Sequence, residues 1–454
     1  MKTPHPYQLD AIELGVRRNL LLADQTGLGK TLTCIETAKQ CIAQVGGYAL
    51  VIAPKKTIAQ WREAIAEQCP EATIIIGTKF FTTLALSKSP STPTRPTWVL
   101  THYEAVVAAA AELARVKWTI AILDEAHRIK TRSTPKRPVK RTEAVKMATM
   151  QAQRKIAATG TPWDRNPADV WSIAHWLYPK HYTSYWAFYE KHALVEYDYL
   201  GYAHVKGCKD REAFAKELSP FTLARTKVQV APDLPPRIDR TERVELEPKQ
   251  EKLYKQLLES KELVALLQLP EDQIATEVVV LNALSHLSKL LQLSTDPSLL
   301  GIKHISSGKL NWLVEYLGDN AEEKIVVFTR YRETALRLSI ELEADLIIGG
   351  MKDDVRPGDE FLSGKKRILV GTIAAMREGL NLQLASTAIF IDQEWSAIAM
   401  NQAVDRIHRI DITEPKQVIF LRSTPADDLV YKAFTGKWTN AKLVFEFLNQ
   451  LRAR

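Results

Sequence analysis

A chain of 454 residues, 46% hydrophobic and 25% charged, has the balance of an ordinary globular protein and the length for two or three domains. Its net charge of +8 favours an anionic partner, and its four cysteines, Cys34, Cys41, Cys69 and Cys208, lack the spacing of a structural zinc site or a disulfide framework, which points to a reducing interior. The opening "MKTPHPYQLDAIE" carries no apolar signal-peptide core and no uncharged apolar stretch approaches a membrane span, so no membrane partner is expected and the expected location is cytoplasmic, or nuclear in a eukaryote.

In chain order, the runs "NLLLA", "YALVIA", "ATIII", "TWVLT", "WTIAILDE" and "KIAATG" predict strands, separated by helical patterns. A second series follows: "KIVVFT", "ADLIIG", "RILVGT", "TAIFID" and "QVIFLR". Continuous apolar runs alternating with helices predict parallel strands covered on both faces, so the fold class is α/β with two such domains. Between the series, roughly residues 165 to 305 are rich first in aromatics and then in helix formers, and "APDLPPR" punctuates the middle.

"LLADQTGLGKT" places a glycine-bearing loop between the first strand and a helix. Gly27 and Gly29 allow backbone N–H groups to converge on phosphate oxygens, and the helix N-terminus supports the same anion. In this pattern Lys30 reaches the β- and γ-phosphates and the Thr31 hydroxyl binds Mg²⁺; Thr26 and Leu28 complete the loop. The P-loop pattern wants glycine where Asp24 stands, and the bland alternative is a glycine turn before a helix.

"WTIAILDEAHRIK" delivers Asp124 and Glu125 to the C-terminal end of a strand, the edge where α/β sheets bind ligands. Asp124 is suited to hold a hydrated Mg²⁺ and Glu125 to position and deprotonate water. An acidic first helical turn is the alternative. Phosphoryl transfer also needs cations, and "NQAVDRIHRID" offers Arg406 and Arg409, whose i, i+3 spacing predicts one helix face. A solvated basic face is the alternative there.

These motifs in this order resemble a superfamily 2 DNA helicase or translocase of the Swi/Snf-like group, over nearly the whole chain. "PHPYQLDAI", "LLADQTGLGKT", "VIAPKKTIAQW", "LDEAHRIK" and "ATGTPWDRNPADVWSIAHWLYP" carry the likeness in the first half. "SGKLNWLVEYL", "KIVVFTRYRETALRL", "ILVGTIAAMREGLNLQLASTAIFID" and "NQAVDRIHRI" carry it in the second. The group commonly has Asp at the position of Asp24. "TIAAMREGLNL" departs in lacking a small-residue pair, and "HRID" in lacking the usual Gly-Gln.

The resemblance implies two RecA-like lobes, 1–236 with an aromatic helical insertion about 165–230, and 237–454 with a helical lead-in about 245–305. It implies ATP and Mg²⁺ as cofactors, with Gln8, Gly379 and Gln402 joining the nucleotide residues, and His127, Thr159, Gly160 and Thr161 as couplers. Pro54, Lys55, Lys56, Thr57, Thr101, Tyr103, Arg128, Lys130, Thr329, Arg330 and Thr372 become contacts to the DNA backbone, which grip without reading sequence. The dense basic run from Arg128 through Arg132, Lys136, Arg137 and Lys140 to Arg141 is either an electrostatic track or a solvated loop. Trp186, Phe188, Tyr197 and Tyr199 are either stacking groups for unpaired bases or, with Trp171 and Trp176, the core of the insertion.

The expected partner is DNA, duplex or branched, bound by a monomer, as in compact phage or bacterial branched-DNA helicases. Protein displacement without strand separation, an ATP-gated clamp and an RNA helicase are the alternatives.

Overall fold

The structure is a computed structural model describing residues 1–77, 95–131, 139–163, 166–197, 203–267, 277–351, 358–377, 380–410 and 412–436. The chain forms two compact units, Met1–Asp233 and Leu234–Arg454. Each carries a parallel sheet covered by helices, the RecA-like arrangement.

In the first unit the strands are β1 (Leu20–Leu22), β2 (Tyr48–Ala53), β3 (Thr73–Ile76), β4 (Thr97–His102), β5 (Trp118–Asp124), β6 (Arg154–Ala158), β7 (Ala193–Tyr197), β8 (Ala203–Cys208) and β9 (Thr222–Leu223). Seven of them form one sheet in the order β3-β4-β2-β5-β6-β1-β9, every neighbour pair parallel. Burial on both faces explains the unbroken apolar runs: Leu21, Leu50 and Leu123 join one core, while Leu20, Leu22, Val51 and Ile122 join the core on the opposite face. Helices Lys30–Val45, Ile58–Gln68, Tyr103–Leu113 and Lys140–Ala148 are the crossovers.

The aromatic insertion is not wholly helical. Helices Trp171–Leu177 and Tyr185–His192 lead into an antiparallel hairpin of β7 and β8, in which Val195 faces Val205 and Lys206 lies 3.4 Å from Glu196. Short runs with β-branched residues favour the strand form despite the helical context. Trp171, Trp176 and Phe188 are buried in the core, whereas Trp186 and Tyr197 are exposed; Tyr199 lies outside the described residues.

The second sheet runs β10 (Arg237–Arg243), β15 (Lys416–Arg422), β14 (Thr387–Phe390), β11 (Ile325–Thr329), β13 (Ile368–Thr372), β12 (Asp345–Ile347), again parallel throughout. The edge strand β10, "RIDRTER", is exposed along almost its whole length, and its charges suit an unpaired edge. Helices Pro248–Leu258, Lys261–Leu267 and Glu277–Thr295 form the expected lead-in, and Leu287, Leu290 and Leu291 pack on Leu429 and Val430 of helix Pro425–Gly436.

A buried ion pair fastens this seam. Lys309 Nζ lies 2.7 Å from Asp427 Oδ1, with the two side chains 0% and 1% exposed. The Ser294 hydroxyl and the backbone N–H groups of Ser423 and Thr424 donate to Asp427 Oδ2. A pair so enclosed persists only when further hydrogen bonds support it, and on the Asp427 side these donors supply them.

Candidate nucleotide site

Strand order brings the chemistry together. In β5-β6-β1 the C-terminal ends lie side by side, so the acidic pair after β5, the "TGT" turn after β6 and the glycine loop after β1 share one sheet edge. Thr159 N donates to Leu22 O at 3.1 Å, stitching two of these ends directly.

The loop is held on every side. Gly27 and Gly29 have φ of 90° and 71°, a backbone that β-carbon-bearing residues resist, and Gly29 caps the helix that begins at Lys30. Tyr7 Oη donates to Leu28 O at 2.7 Å, and Gln8 Nε2 donates to Leu28 O and Gly29 O at 3.2 Å each. Gln8 is thus buried with its amide engaged by the loop itself. Lys30 Nζ donates to Asp24 O at 2.7 Å and Gln25 O at 3.3 Å, and Thr31 is half-buried in the first helical turn. Gly160 packs so closely that a β-carbon there would lie 2.7 Å from Thr26 Oγ1 and 3.3 Å from Thr26 N.

Asp24 is not a vestigial departure from the glycine pattern. Its buried carboxylate accepts from Arg225 Nε at 2.9 Å, Nη2 at 2.6 Å and backbone N at 3.1 Å. Arg225 also donates to Tyr7 O and covers the Tyr7 ring. Ala23 N and Gln25 N donate to Leu223 O and Arg225 O, so the segment through β9 forms one wall of the loop.

Asp124 and Glu125 are half-buried neighbours. Burial above all, then the adjacent Glu125 charge, pushes the Asp124 carboxyl up to about 6, while the Trp61 hydrogen bond and the Lys30 charge pull it down. Trp61 Nε1 donates to Asp124 Oδ2 at 2.9 Å and Glu125 N to Oδ1 at 3.1 Å. Tyr103 Oη donates to Asp124 O at 2.7 Å. Glu125 adopts φ 51° and ψ 51°, a left-handed conformation that costs energy in a residue with a side chain. His127 Nδ1 lies 3.3 Å from Glu125 Oε2 and 3.1 Å from Thr159 Oγ1, which also accepts from Thr161 N at 3.2 Å. His127 Nδ1 thus sits between Glu125 and Thr159, which places the acidic pair close to the Thr159–Thr161 turn.

Among the described residues no group of three or more His, Cys, Asp or Glu side chains is disposed to hold a metal. One carboxylate with a hydroxyl from Thr31 fits Mg²⁺, which takes few protein ligands and completes its shell with phosphates and water. The mutual repulsion at Asp124 and Glu125 is the electrostatic demand such a cation meets.

The residues expected to meet DNA fall into two groups. Lys55 and Lys56 are exposed on a single turn, Lys55–Thr57, whose Thr57 and Pro54 are buried and joined by a 2.9 Å hydrogen bond. Lys130 is exposed 3.7 Å from Asp169, and Arg128 is half-buried against the Tyr103 ring. Tyr103 and Thr101, by contrast, are buried: the tyrosine serves Asp124 from within, so the expectation of a backbone contact does not suit them. In the second unit Thr329 and Thr372 are buried partners on β11 and β13, and Thr329 Oγ1 donates to the buried Asp392 at 2.6 Å, which turns it inward too. Arg330 stacks its guanidinium 4.5 Å above Trp395. Arg132, Lys136, Arg137 and Gly379 lie outside the described residues.

The expected helix face of Arg406 and Arg409 is corrected. Helix Ala397–Val404, which buries Gln402, ends before both arginines. The chain tightens instead: Arg406 N bonds to Ala403 O and Ile407 N to Val404 O, while Arg406 O accepts from Leu382 N. Arg406 is 8% exposed with Nε donating to Arg377 O at 2.8 Å, and Arg409 is half-buried.

Sequence reasoning missed Arg225 and the buried roles of Trp61 and Tyr103. A charged Asp24 at the end of an apolar strand signals that a partner must exist, but not which arginine supplies it.

The SNF2-related domain family matches residues 11–297, and the helicase conserved C-terminal domain matches residues 308–411. Similar curated proteins include Protein CHROMATIN REMODELING 5 of Arabidopsis thaliana, 27% identical over 98% of this chain and 27% of that protein. The ISWI chromatin-remodeling complex ATPase ISW2 of Saccharomyces cerevisiae is 25% identical over 88% of this chain and 36% of that protein. The chain thus spans less than half the length of these relatives. Among solved structures, the Sulfolobus solfataricus SWI2/SNF2 ATPase core in complex with dsDNA is 24% identical with a TM-score of 0.45, covering 96% of this chain and 91% of that one.

Proposed function

This chain belongs to the SNF2-related family, and from that premise we propose that it is a DNA-dependent ATPase that translocates along duplex DNA and remodels branched structures. The observation that carries the ATPase reading is the gathering of a braced glycine loop, Lys30 and the half-buried Asp124–Glu125 pair at one sheet edge. Binding a nucleotide needs the loop alone; a second carboxylate beside the metal ligand is what hydrolysis needs.

In this reading the loop N–H groups, Thr26, Lys30 and the helix N-terminus hold the phosphates of ATP. Asp124 and Thr31 would hold Mg²⁺, which when bound would supply positive charge beside the phosphates. Glu125 orients a water for in-line attack at the γ-phosphorus; the bond to the β,γ-bridging oxygen breaks, giving ADP and phosphate, and the water proton passes to Glu125. Arg406 and Arg409 are assigned the cations of the second unit. His127, Thr159 and Thr161 report the state of the acidic pair to the adjacent strand ends. Lys55, Lys56, Arg128 and Lys130 supply salt-sensitive phosphate contacts.

The names of the relatives, chromatin-remodeling factors and ATPases, favour a second job for the same motor: displacing bound protein without separating strands. One comparison at a single salt concentration tests both. ATPase activity is measured with linear duplex, single strands, a fork, a four-way junction and RNA, alongside strand-exchange gels and displacement of a tightly bound protein block. Stimulation by duplex over RNA is expected, with the junction and fork processed faster than linear duplex. Strong duplex stimulation with inert junctions and displaced blocks selects the second job; absence of any nucleic-acid stimulation overturns the motor.

A further inference from the structure

We propose that Trp61 and Tyr103 are positioning residues through which duplex contact at the surface reaches Asp124, an inference that rests on the DNA-dependent ATPase assigned above. The two side chains are 1% and 0% exposed, so neither touches DNA or nucleotide. They belong to cores on opposite faces of the sheet, Trp61 with Leu20 and Ile122, Tyr103 with Leu21 and Leu123. From one face the Trp61 indole N–H holds Asp124 Oδ2 at 2.9 Å; from the other the Tyr103 hydroxyl holds Asp124 O at 2.7 Å. The metal-binding carboxylate is therefore gripped by its side chain and its main chain, from both sides of the strand that delivers it.

Each grip begins at the surface. Trp61 lies one turn into helix Ile58–Gln68, which starts directly after the exposed Lys55 and Lys56. Tyr103 is the first residue of helix Tyr103–Leu113, whose adjoining His102 and Glu104 form a surface cluster with Arg141. A phosphate drawn to Lys55 and Lys56 pulls on helix Ile58–Gln68, and one drawn to Arg141 competes with Glu104 of helix Tyr103–Leu113 for that cation, so a disturbance at either helix is felt at one carboxylate. Packed cores transmit such displacements because they have no slack to absorb them. Duplex binding thereby sets the orientation in which Asp124 meets the metal.

Trp61→Phe, Tyr103→Phe and the double variant delete the donor atoms while keeping a ring in place. Affinity for a non-hydrolysable ATP analogue is titrated with Mg²⁺ and with EDTA, and ATPase is measured with and without linear duplex, alongside duplex affinity and thermal unfolding. The double variant is expected to lose about tenfold of the Mg²⁺-dependent gain in nucleotide affinity, the order of one charge-assisted hydrogen bond. Its stimulation by duplex should fall several-fold while duplex affinity and EDTA-state nucleotide affinity hold. A folded double variant with wild-type Mg²⁺ gain and stimulation overturns the proposal, as does loss of duplex affinity in step with turnover. If the double variant does not fold, the same readings on the single variants decide. Wild-type protein without ATPase activity, or Asp124→Asn with full activity, would instead sink the ATPase assignment, so the two failures stay distinct.

Discussion

Arg225 and Asp24 meet as a bidentate ion pair across 201 positions of sequence, the aspartate buried and the arginine half-buried, with Oδ1 and Oδ2 of the aspartate each taking a guanidinium N–H. Through it the glycine loop is tied to the segment that closes the first unit. Arg225→Ala strands a buried carboxylate and is expected to cost about 3–5 kcal/mol in unfolding free energy. Arg225→Lys cannot reproduce the fork and should recover little. Chemical denaturation of the wild type and the two variants checks the order.

Lys30→Ala, Glu125→Gln and Arg409→Ala each remove a charge from the proposed reaction while leaving the fold intact. Turnover is expected to fall by roughly two to three orders of magnitude, the size of one lost transition-state stabiliser. Steady-state phosphate release with circular dichroism as the fold control is the measurement. Full activity in all three would remove the assigned chemistry.

Gly160→Ala presses a methyl group toward Thr26 Oγ1 and Thr26 N. The hydroxyl can rotate away but the backbone cannot, so the loop must yield by a few tenths of an ångström. The expected result is weaker ATP affinity with small loss of stability, read by nucleotide titration and thermal unfolding.

Lys55→Ala and Lys56→Ala address the duplex. Each lost phosphate contact is expected to reduce the slope of log affinity against log salt by about 1. Binding isotherms for linear duplex at four or more salt concentrations give that slope. A weaker affinity with an unchanged slope would mean that these lysines act on the fold and not on phosphate.

Lys309→Met should destabilise the second unit by about 3–5 kcal/mol, because it leaves the buried Asp427 carboxylate without its counter-charge. Burial pushes the Asp427 carboxyl up, but Lys309, Ser294 and the Ser423 N–H outweigh it and hold the group below the usual carboxylate range. A lowered acid stabilises the fold above its unfolded value and loses that contribution as pH falls through the folded one. Wild-type stability should therefore decline in acid below the ordinary Asp range. The double variant Lys309→Met/Asp427→Leu should regain part of the loss and flatten the acid limb, as urea titrations across pH would reveal.

What was readable in the sequence was whatever local pattern alone determines. Most strands from β1 to β6 and β11 to β15 announce themselves because burial on both faces forces uninterrupted apolar runs, and the half-exposed edge strands β3 and β12 show through their aliphatic composition. β9 and β10 do not: two residues of "FTLART" and the charged "RIDRTER" become strands only because a neighbour offers its ladder. The glycine loop and "DEAH" were legible as motifs, but not the buried hydrogen bonds of Trp61, Tyr103 and Arg225, which depend on residues remote in sequence. For Arg406 and Arg409 the apolar spacing Ala403, Ile407, Ile410 imitates a helix, yet the chain spends the Arg406 carbonyl on Leu382 and coils more tightly.

The pairing of β1 with β9 has a consequence for biosynthesis. A ribosome makes the glycine loop early and its outer wall some two hundred residues later, so the emerging chain carries an unfinished nucleotide cradle through most of the first unit's translation. Only when Thr222 to Lys227 clear the exit tunnel can β9 pair with β1 and Arg225 reach Asp24, so the loop gains this wall near the end of that unit's synthesis.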